Sequence, residues 1–413
     1  MRILIYGINF APELTGIGKY SGELAAMLAE HGHEVRVVTV PPYYPQWRVA
    51  SGYSAWRYQN EQIGQVSVLR CPLWVPRSPR GLTRLLHLAS FALSSIPAML
   101  RQVLWRPDVV LLIVPTLFCA PAAWLVARMS GARAWLHIQD FELDAAIALG
   151  LLKSQLLQRL AQRFESFWLL RFDKVSTISD AMLARLKEKN VEPRRCMLFP
   201  NWVDTRSIYP LQNPSSFRAE LGISDQVVVA LYAGNMGEKQ GLEIIINAAQ
   251  LLSVDLNIVF VIAGAGAARM RLEQMAQGMT NVRWLPLQPV DRMNDLLNLA
   301  DIHLLPQQAG AADLVMPSKL TGMFASGRPV VATAAPDTQL AKVVTGRGEV
   351  TPPGDTAKYG AIIRDLSSDL AKRHRYGVNA REYAVQHLDY SAVVSRFEHD
   401  LAEVVKQTKS GLS

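Results

Sequence analysis

Apolar residues along this chain recur in two alternating rhythms. Short unbroken runs, RILIYGI at 2–8, VRVVTV at 35–40, VSVLRC at 66–71, VVLLIV at 109–114, RAWLHI at 133–138 and KVSTIS at 174–179, have the length and content of buried strands. Between them, apolar positions three and four apart predict helices at 18–30, 82–104, 118–130 and 154–171. The second half repeats the scheme with VVVALYAG, NIVFVIAG, VRWLPL, DIHLLP and PVVAT, alternating with helices near 241–252, 268–277, 291–299 and 318–326. Strands buried on both faces, each followed by a helix, imply parallel sheets covered by helices on both sides. The predicted fold class is therefore α/β, two doubly wound Rossmann-like domains. Proline, asparagine and serine gather in FPNWVDTRSIYPLQNPSS, which places the junction there and the domains at 1–200 and 201–385. The remainder, 386–413, contains YSAVVSRFEHDLAEVVKQ, an amphipathic helix that follows the completed second domain.

Length and composition sharpen this outline. A chain of 413 residues that is 50% hydrophobic exceeds what one core usually holds, which agrees with two domains. Cys71, Cys119 and Cys196 form no CxxC pair and lie far apart, an arrangement that suits neither a disulfide framework nor a structural zinc site and fits a reducing cytoplasm. The first strand begins at the N-terminus without a basic, then apolar, then cleavable leader, so no secretory signal is expected.

The formal net charge of +8 suits nucleic acid, an anionic membrane or polyphosphate ligands. No zinc finger, RNP1-type motif or compact Lys/Arg run is visible, so no nucleic-acid partner is expected. In RSPRGLTRLLHLASFALSSIPAMLRQVLWR, residues 77–106, an apolar segment is flanked by Arg77, Arg80, Arg84, Arg101 and Arg106. Ser94, Ser95 and Pro97 interrupt it short of the ~20 apolar residues that span a bilayer. Two readings stand: an interfacial helix facing acidic headgroups, or a helix packed on a sheet whose arginines reach water.

Glycines mark the candidate chemistry. In NFAPELTGIGKY a long loop after the first strand brings Gly16 and Gly18 to the start of a helix. A dinucleotide fingerprint would need GxGxxG directly after that strand and an acid closing the second strand, which here ends in Thr39, Val40 and Pro41. The loop suits either an anion at a helix N-terminus or a plain turn. YAGNMGEKQG and IAGAGAAR place Gly234, Gly264 and Gly266 at the carboxyl ends of second-half strands, where close backbone approach to a ligand is usual. In LVMPSKLTGMFASGRPVVAT, Pro317 opens a helix with Ser318 and Lys319 beside it, aiming amides, a hydroxyl and an ammonium at one point, as a diphosphate requires.

With these motifs in this order, and HIQD, VSTISDAM and LPLQPVDRMNDLLNLADIHLLP between them, the chain resembles the retaining nucleotide-sugar glycosyltransferases of the GT-B fold, glycosyltransferase family 4. The strings YGINFAPELTGIGKY, PPYYPQWRV, YSAWRY and GEKQGLE resemble, more narrowly, enzymes of exopolysaccharide biosynthesis of the colanic-acid type. The resemblance implies two domains facing a cleft, an N-terminal one for the acceptor and a C-terminal one for the donor, and a terminal helix returning to the first. It implies a nucleotide-sugar donor, possessing UDP or GDP, a lipid-diphosphate-linked saccharide acceptor, and work at the cytoplasmic face of the inner membrane. It also implies no cofactor and no bound metal. A non-catalytic scaffold subunit of a polysaccharide assembly complex is the alternative.

The resemblance further assigns residues. Lys319, then Lys239, would stabilise the diphosphate leaving group, helped by Ser318 and amides near Gly234, with Asn235, Gly264, Gly266 and Asp313 on the donor side. In LHIQDFELD, Asp140 would orient the acceptor hydroxyl or take its proton, with His137 as the second catalytic candidate. Gly16, Gly18, Gln139 and Asp144 would lie on the acceptor side. Three departures stand out: Gln139 replaces the usual His before Asp140; Asn235 and Gln240 replace the usual Arg and Lys; and Leu314 and Gly322 occupy the positions of a glutamate pair, the second of which normally holds ribose.

Overall fold

The computed structural model describes residues 1–13, 16–77, 81–148, 154–237, 240–255, 257–308 and 316–409. They form two compact units, Met1–Pro200 with Val394–Ser413, and Asn201–Val393.

In the first unit, among the described residues, eight strands form one sheet: β1 (Arg2–Gly7), β2 (Glu34–Thr39), β3 (Gln59–Ile63), β4 (Val66–Arg70), β5 (Val109–Val114), β6 (Arg133–Ile138), β7 (Lys174–Thr177) and β8 (Cys196–Leu198). Their order is β3-β4-β2-β1-β5-β6-β7-β8. All neighbours run parallel except β3 and β4, which are antiparallel. Every residue of β5 is buried, as expected for a central strand covered on both faces. The direction of winding reverses between β1 and β5, so the loops after β1, β2 and β6 gather at one carboxyl edge.

The edge strand β3, QNEQI, escapes the apolar pattern because charge holds it. Arg70 on β4 is fully buried and donates from Nε to Glu61 Oε1 of β3 (2.6 Å), from one terminal nitrogen to the Val40 carbonyl (2.7 Å), and from the other to the Ala11 carbonyl. The segment predicted as one helix over 82–104 is two, Leu82–Ser94 and Ile96–Gln102. Pro97 has no N–H to offer the preceding turn, and Ser95, at the break, bonds the Tyr6 hydroxyl of β1.

In the second unit, among the described residues, six strands form a parallel sheet: β9 (Val228–Ala233), β10 (Ile258–Ala263), β11 (Val282–Leu285), β12 (Ile302–Leu305), β13 (Val330–Thr333) and β14 (Gly348–Thr351), in the order β11-β10-β9-β12-β13-β14. Here the winding reverses between β9 and β12. Apolar clusters fill both faces, one around Phe260, Tyr232 and Tyr359 and another around Leu231, Val261 and Phe217. The helix Tyr390–Lys409 starts in the second unit and is counted with the first from Val394 on. Phe397 stacks on Phe199 (centroids 4.1 Å apart, planes at 11°) and meets Trp135 edge-on, and Glu398 bonds His31 Nδ1 and His33 Nε2, each at 2.7 Å.

Cys71, Cys119 and Cys196 are free thiols. No helix of the described residues is long and apolar enough to cross a membrane, and no three of their His, Cys, Asp or Glu side chains converge as metal ligands would.

Candidate functional site

At the carboxyl edge of the second sheet, Lys319 is the first residue of the helix Lys319–Ala325. Its partly buried side chain crosses to β9, where Nζ donates to the Tyr232 hydroxyl (2.5 Å) and to the Asn235 carbonyl (3.4 Å) and sits 4.3 Å from the Tyr232 ring centre. No carboxylate of the described residues pairs with it. Burial therefore pulls its ammonium down to about 7. Removing the hydration of a cation without supplying an anion is costly, and a bound diphosphate would supply one. Ser318 precedes the helix and its side chain makes no capping bond.

The glycines around Lys319 acquire a physical reason that the motif alone did not give. A Cβ on Gly234, whose φ is 141°, would stand 2.3 Å from Lys319 Cε, so glycine makes the path of the lysine side chain. A Cβ on Gly264 would stand 2.0 Å from the Gly234 carbonyl oxygen, and one on Gly266 2.3 Å from that of Met236. The loops after β9 and β10 are thus packed backbone on backbone. Gly234 N donates to the Ala263 carbonyl (2.9 Å) and Met236 N to that of Ala265 (2.8 Å). Of the amides near Gly234 expected at the diphosphate, these two are bonded to the neighbouring loop. The close approach expected of Gly264 and Gly266 is likewise taken up by protein backbone. Gly322 faces Leu297, with 3.2 Å between its ideal Cβ and Leu297 Cδ1. Lys239, Asp313 and Leu314 lie outside the described residues.

The first unit's carboxyl edge is acidic. Asp140 follows β6 and is half-buried. Two residues on, Glu142 begins the helix Glu142–Ala148 and pairs with Arg84 (3.0 Å). Burial pushes the Glu142 carboxyl up to about 7, Arg84 draws it partly back, and the charge of Asp140 adds to the rise. From the loop after β1, Glu13 turns inward and accepts the amides of Tyr43 (3.1 Å) and Tyr44 (3.0 Å) and the side chain of Asn9 (2.9 Å). Burial raises its pKa against the effect of those bonds and of Arg70. The Tyr44 hydroxyl is held above its ordinary range by burial and by the charges of Glu13 and Asp140. The pattern of the opening loop hid Glu13; its trace is Gly18, where a Cβ would stand 2.6 Å from both Cβ and Oε2 of Glu13. Gly16 starts the helix with φ 61°, a conformation that favours glycine, and among the described residues Tyr44 lies near an added Cβ.

Other first-unit candidates are committed elsewhere. His137 on β6 is buried, with Nδ1 bonded to Ser176 Oγ and Nε2 to Gln139 Nε2, both at 2.9 Å, and its ring packs on Phe199. Burial lowers its pKa to about 3, so the ring is neutral. With both nitrogens engaged it braces the strand end before Asp140, and the expected catalytic contact is not what this placement offers. Gln139 is buried as its partner. Asp144 is buried too, held by Lys189 Nζ (2.9 Å) and Arg185 Nε (2.9 Å), an ion-pair role in place of the acceptor contact expected. Periodicity could not separate Asp144 from Glu142, since both sit in one helical turn and only burial and partners distinguish them.

Two doubly wound α/β units with these loops at their switch points have the architecture of the GT-B glycosyltransferases. Residues 15–202 match the model of a glycosyl transferase 4-like domain and 227–369 that of glycosyl transferases group 1. The chain is 44% identical over 408 residues to the putative colanic acid biosynthesis glycosyl transferase WcaI of Escherichia coli K12, covering 97% of this chain and 100% of that one. It belongs to this glycosyltransferase family. The probable glycosyltransferase WbjE of Pseudomonas aeruginosa is 25% identical over 236 residues, 56% of this chain and 59% of that protein. Among solved structures, sucrose-phosphate synthase from Thermosynechococcus elongatus superposes with a TM-score of 0.78 at 16% identity, over 98% of this chain and 100% of that one. WaaG, a glycosyltransferase of lipopolysaccharide biosynthesis, gives 0.67 at 17% identity, over 97% and 99%. These two likenesses speak for the fold.

Proposed function

We propose that this glycosyltransferase moves a sugar from a nucleoside diphosphate donor, UDP- or GDP-linked, to a lipid-linked oligosaccharide during assembly of a colanic-acid-like exopolysaccharide at a membrane surface. The observation that carries the reading is Lys319: a partly buried ammonium at a sheet switch point, with no carboxylate of the described residues against it. In the transfer the bond between the anomeric carbon and the diphosphate oxygen breaks, and the electron pair leaves with the diphosphate. A preorganised cation stabilises that charge as it develops. The acceptor hydroxyl oxygen bonds the anomeric carbon and loses its proton; Asp140 is the group proposed to orient that hydroxyl or to receive the proton. Ribose is held by groups other than a side chain at Gly322. The WcaI likeness supports the colanic-acid pathway, and a HepE structure solved with UDP and glucose shares the fold at a TM-score of 0.69.

The test is a panel of UDP- and GDP-sugars incubated with the full chain and membrane lipid extract. Nucleotide release from one donor, dependent on the extract, is expected. No release from any donor would favour the scaffold alternative.

A further inference from the structure

The helix Gln155–Leu169 is attached in an unusual way. An amphipathic helix ordinarily buries its apolar stripe and shows its charges. Here the buried side chains are Glu165 and Leu169. Glu165 is held by Lys189 Nζ (2.5 Å), which also holds Asp144. The apolar residues turn outward: Leu156 is 66% exposed, Leu160 52% and Phe167 47%, with Leu157, Phe164 and Leu170 exposed beside them. Aromatic contacts continue this face inward, Phe164 to Phe118 and Trp168 to Trp124, each with ring centres 6.2 Å apart.

Charge says what covers the face. Between 155 and 171 the sole acidic residue is Glu165, and it is buried. Arg159 and Arg163 are exposed on the helix, and Arg171 follows it with its guanidinium 3.7 Å from the Phe167 ring centre. No described carboxylate pairs with any of the three. Apolar side chains interleaved with uncompensated guanidinium groups match the boundary between acyl chains and acidic headgroups. The helix Leu82–Ser94 also exposes Leu82, Leu85, Leu86 and Leu93, but it packs His87, Leu88 and Phe91 inward and has Arg84 engaged by Glu142.

We propose that Gln155–Leu169 is the element that seats the first unit on an anionic phospholipid bilayer, with its leucines and phenylalanines in the acyl boundary and Arg159, Arg163 and Arg171 on the headgroups. The proposal builds on the reading of a lipid-linked acceptor, but its test needs neither donor nor acceptor, so each can fail without the other.

The full chain is sedimented with vesicles of phosphatidylcholine alone and of phosphatidylcholine and phosphatidylglycerol in equal parts. Binding to the anionic vesicles, weakened by salt, is expected. Arg159→Gln with Arg163→Gln should weaken partitioning on the order of thirty-fold, and Leu156→Gln, Leu160→Gln and Phe167→Gln together at least as much. Leu370→Gln, at a 71% exposed position of the second unit, should bind like the unaltered chain. Both sets alter exposed side chains, and an unchanged melting temperature shows that they fold. Equal binding by all variants would overturn the proposal. So would variants that abolish a concentration-dependent dimer, or the capture of a protein partner, while leaving vesicle binding intact.

Discussion

The two sheets end in opposite chemistry. At the carboxyl edge of the second, Lys319 stands without a carboxylate among the described residues, against a phenol and a carbonyl. At the same edge of the first, burial and then the charge of Asp140 raise the Glu142 carboxyl, and burial with the charges of Glu13 and Asp140 raises the Tyr44 hydroxyl. One architecture has therefore been given, at corresponding edges, a cation with no described carboxylate against it and a group of carboxylates of which Glu142 is paired with Arg84. A leaving diphosphate suits the first, and an alcohol that must lose a proton suits the second. The difference lies in loops and helix starts, the parts of a doubly wound sheet that can change without disturbing its core.

Three measurements would sharpen or break this contrast. The largest effect is expected from Lys319→Ala, which should lower turnover by roughly two to three orders of magnitude, the scale of one preorganised donor. Its melting temperature should not fall, because a dehydrated ammonium opposes folding: the folded pKa of about 7 lies below the unfolded value, so the cost is full below pH 7 and fades as pH rises above it. Wild-type turnover in this variant would dissolve the cationic half of the comparison.

Next in size is the linkage between UDP or GDP binding and protons. A diphosphate that restores the Lys319 charge must take up a proton whenever the free site is neutral. Above pH 7 affinity should fall by up to about tenfold per pH unit in the wild type, and calorimetry in buffers of different ionisation enthalpy should show the uptake. A flat profile between pH 7 and 9 would mean that the nucleotide binds away from Lys319.

The smallest effect concerns Glu142→Gln. The Glu142 pKa is raised to about 7, so its contribution to stability is fully present below the ordinary carboxyl range and lost as pH rises through 7. The amide should melt higher than the wild type at pH 8 and no higher at pH 4. A difference independent of pH would show that Glu142 is not the titrating acid of the first edge.

Much of this protein was legible before any coordinates. The β5 run VVLLIV has no polar position, and a strand of that kind can only be covered on both faces, so the parallel sheets and the two-unit plan follow from apolar periodicity alone. Glycine, proline and lysine in PSKLTG fixed the place of the cation, because that motif sits at the start of a helix between two buried strands. The strand QNEQI was not legible, since what holds it is the Glu61–Arg70 pair and not an apolar face. Nor was the break at Ser95, where helix periodicity continues across a proline that interrupts the hydrogen bonds.

The side chains that meet across the chain belong to tertiary structure. Lys319 and Tyr232 are 87 positions apart, and nothing in either motif shows that Gly234 is small so that the lysine can pass. Asp140, Glu142 and Asp144 are three neighbouring acids in one short stretch; the fold gives one a half-buried strand end, one a dehydrated pocket beside Arg84, and one a pair of cations. Sequence determines which groups can carry charge and which backbone runs must be buried, because those properties are local. Which charges are paired, and which are buried, depends on what folding brings within a few ångströms, as Lys319 beside Tyr232 and Glu142 beside Arg84 show.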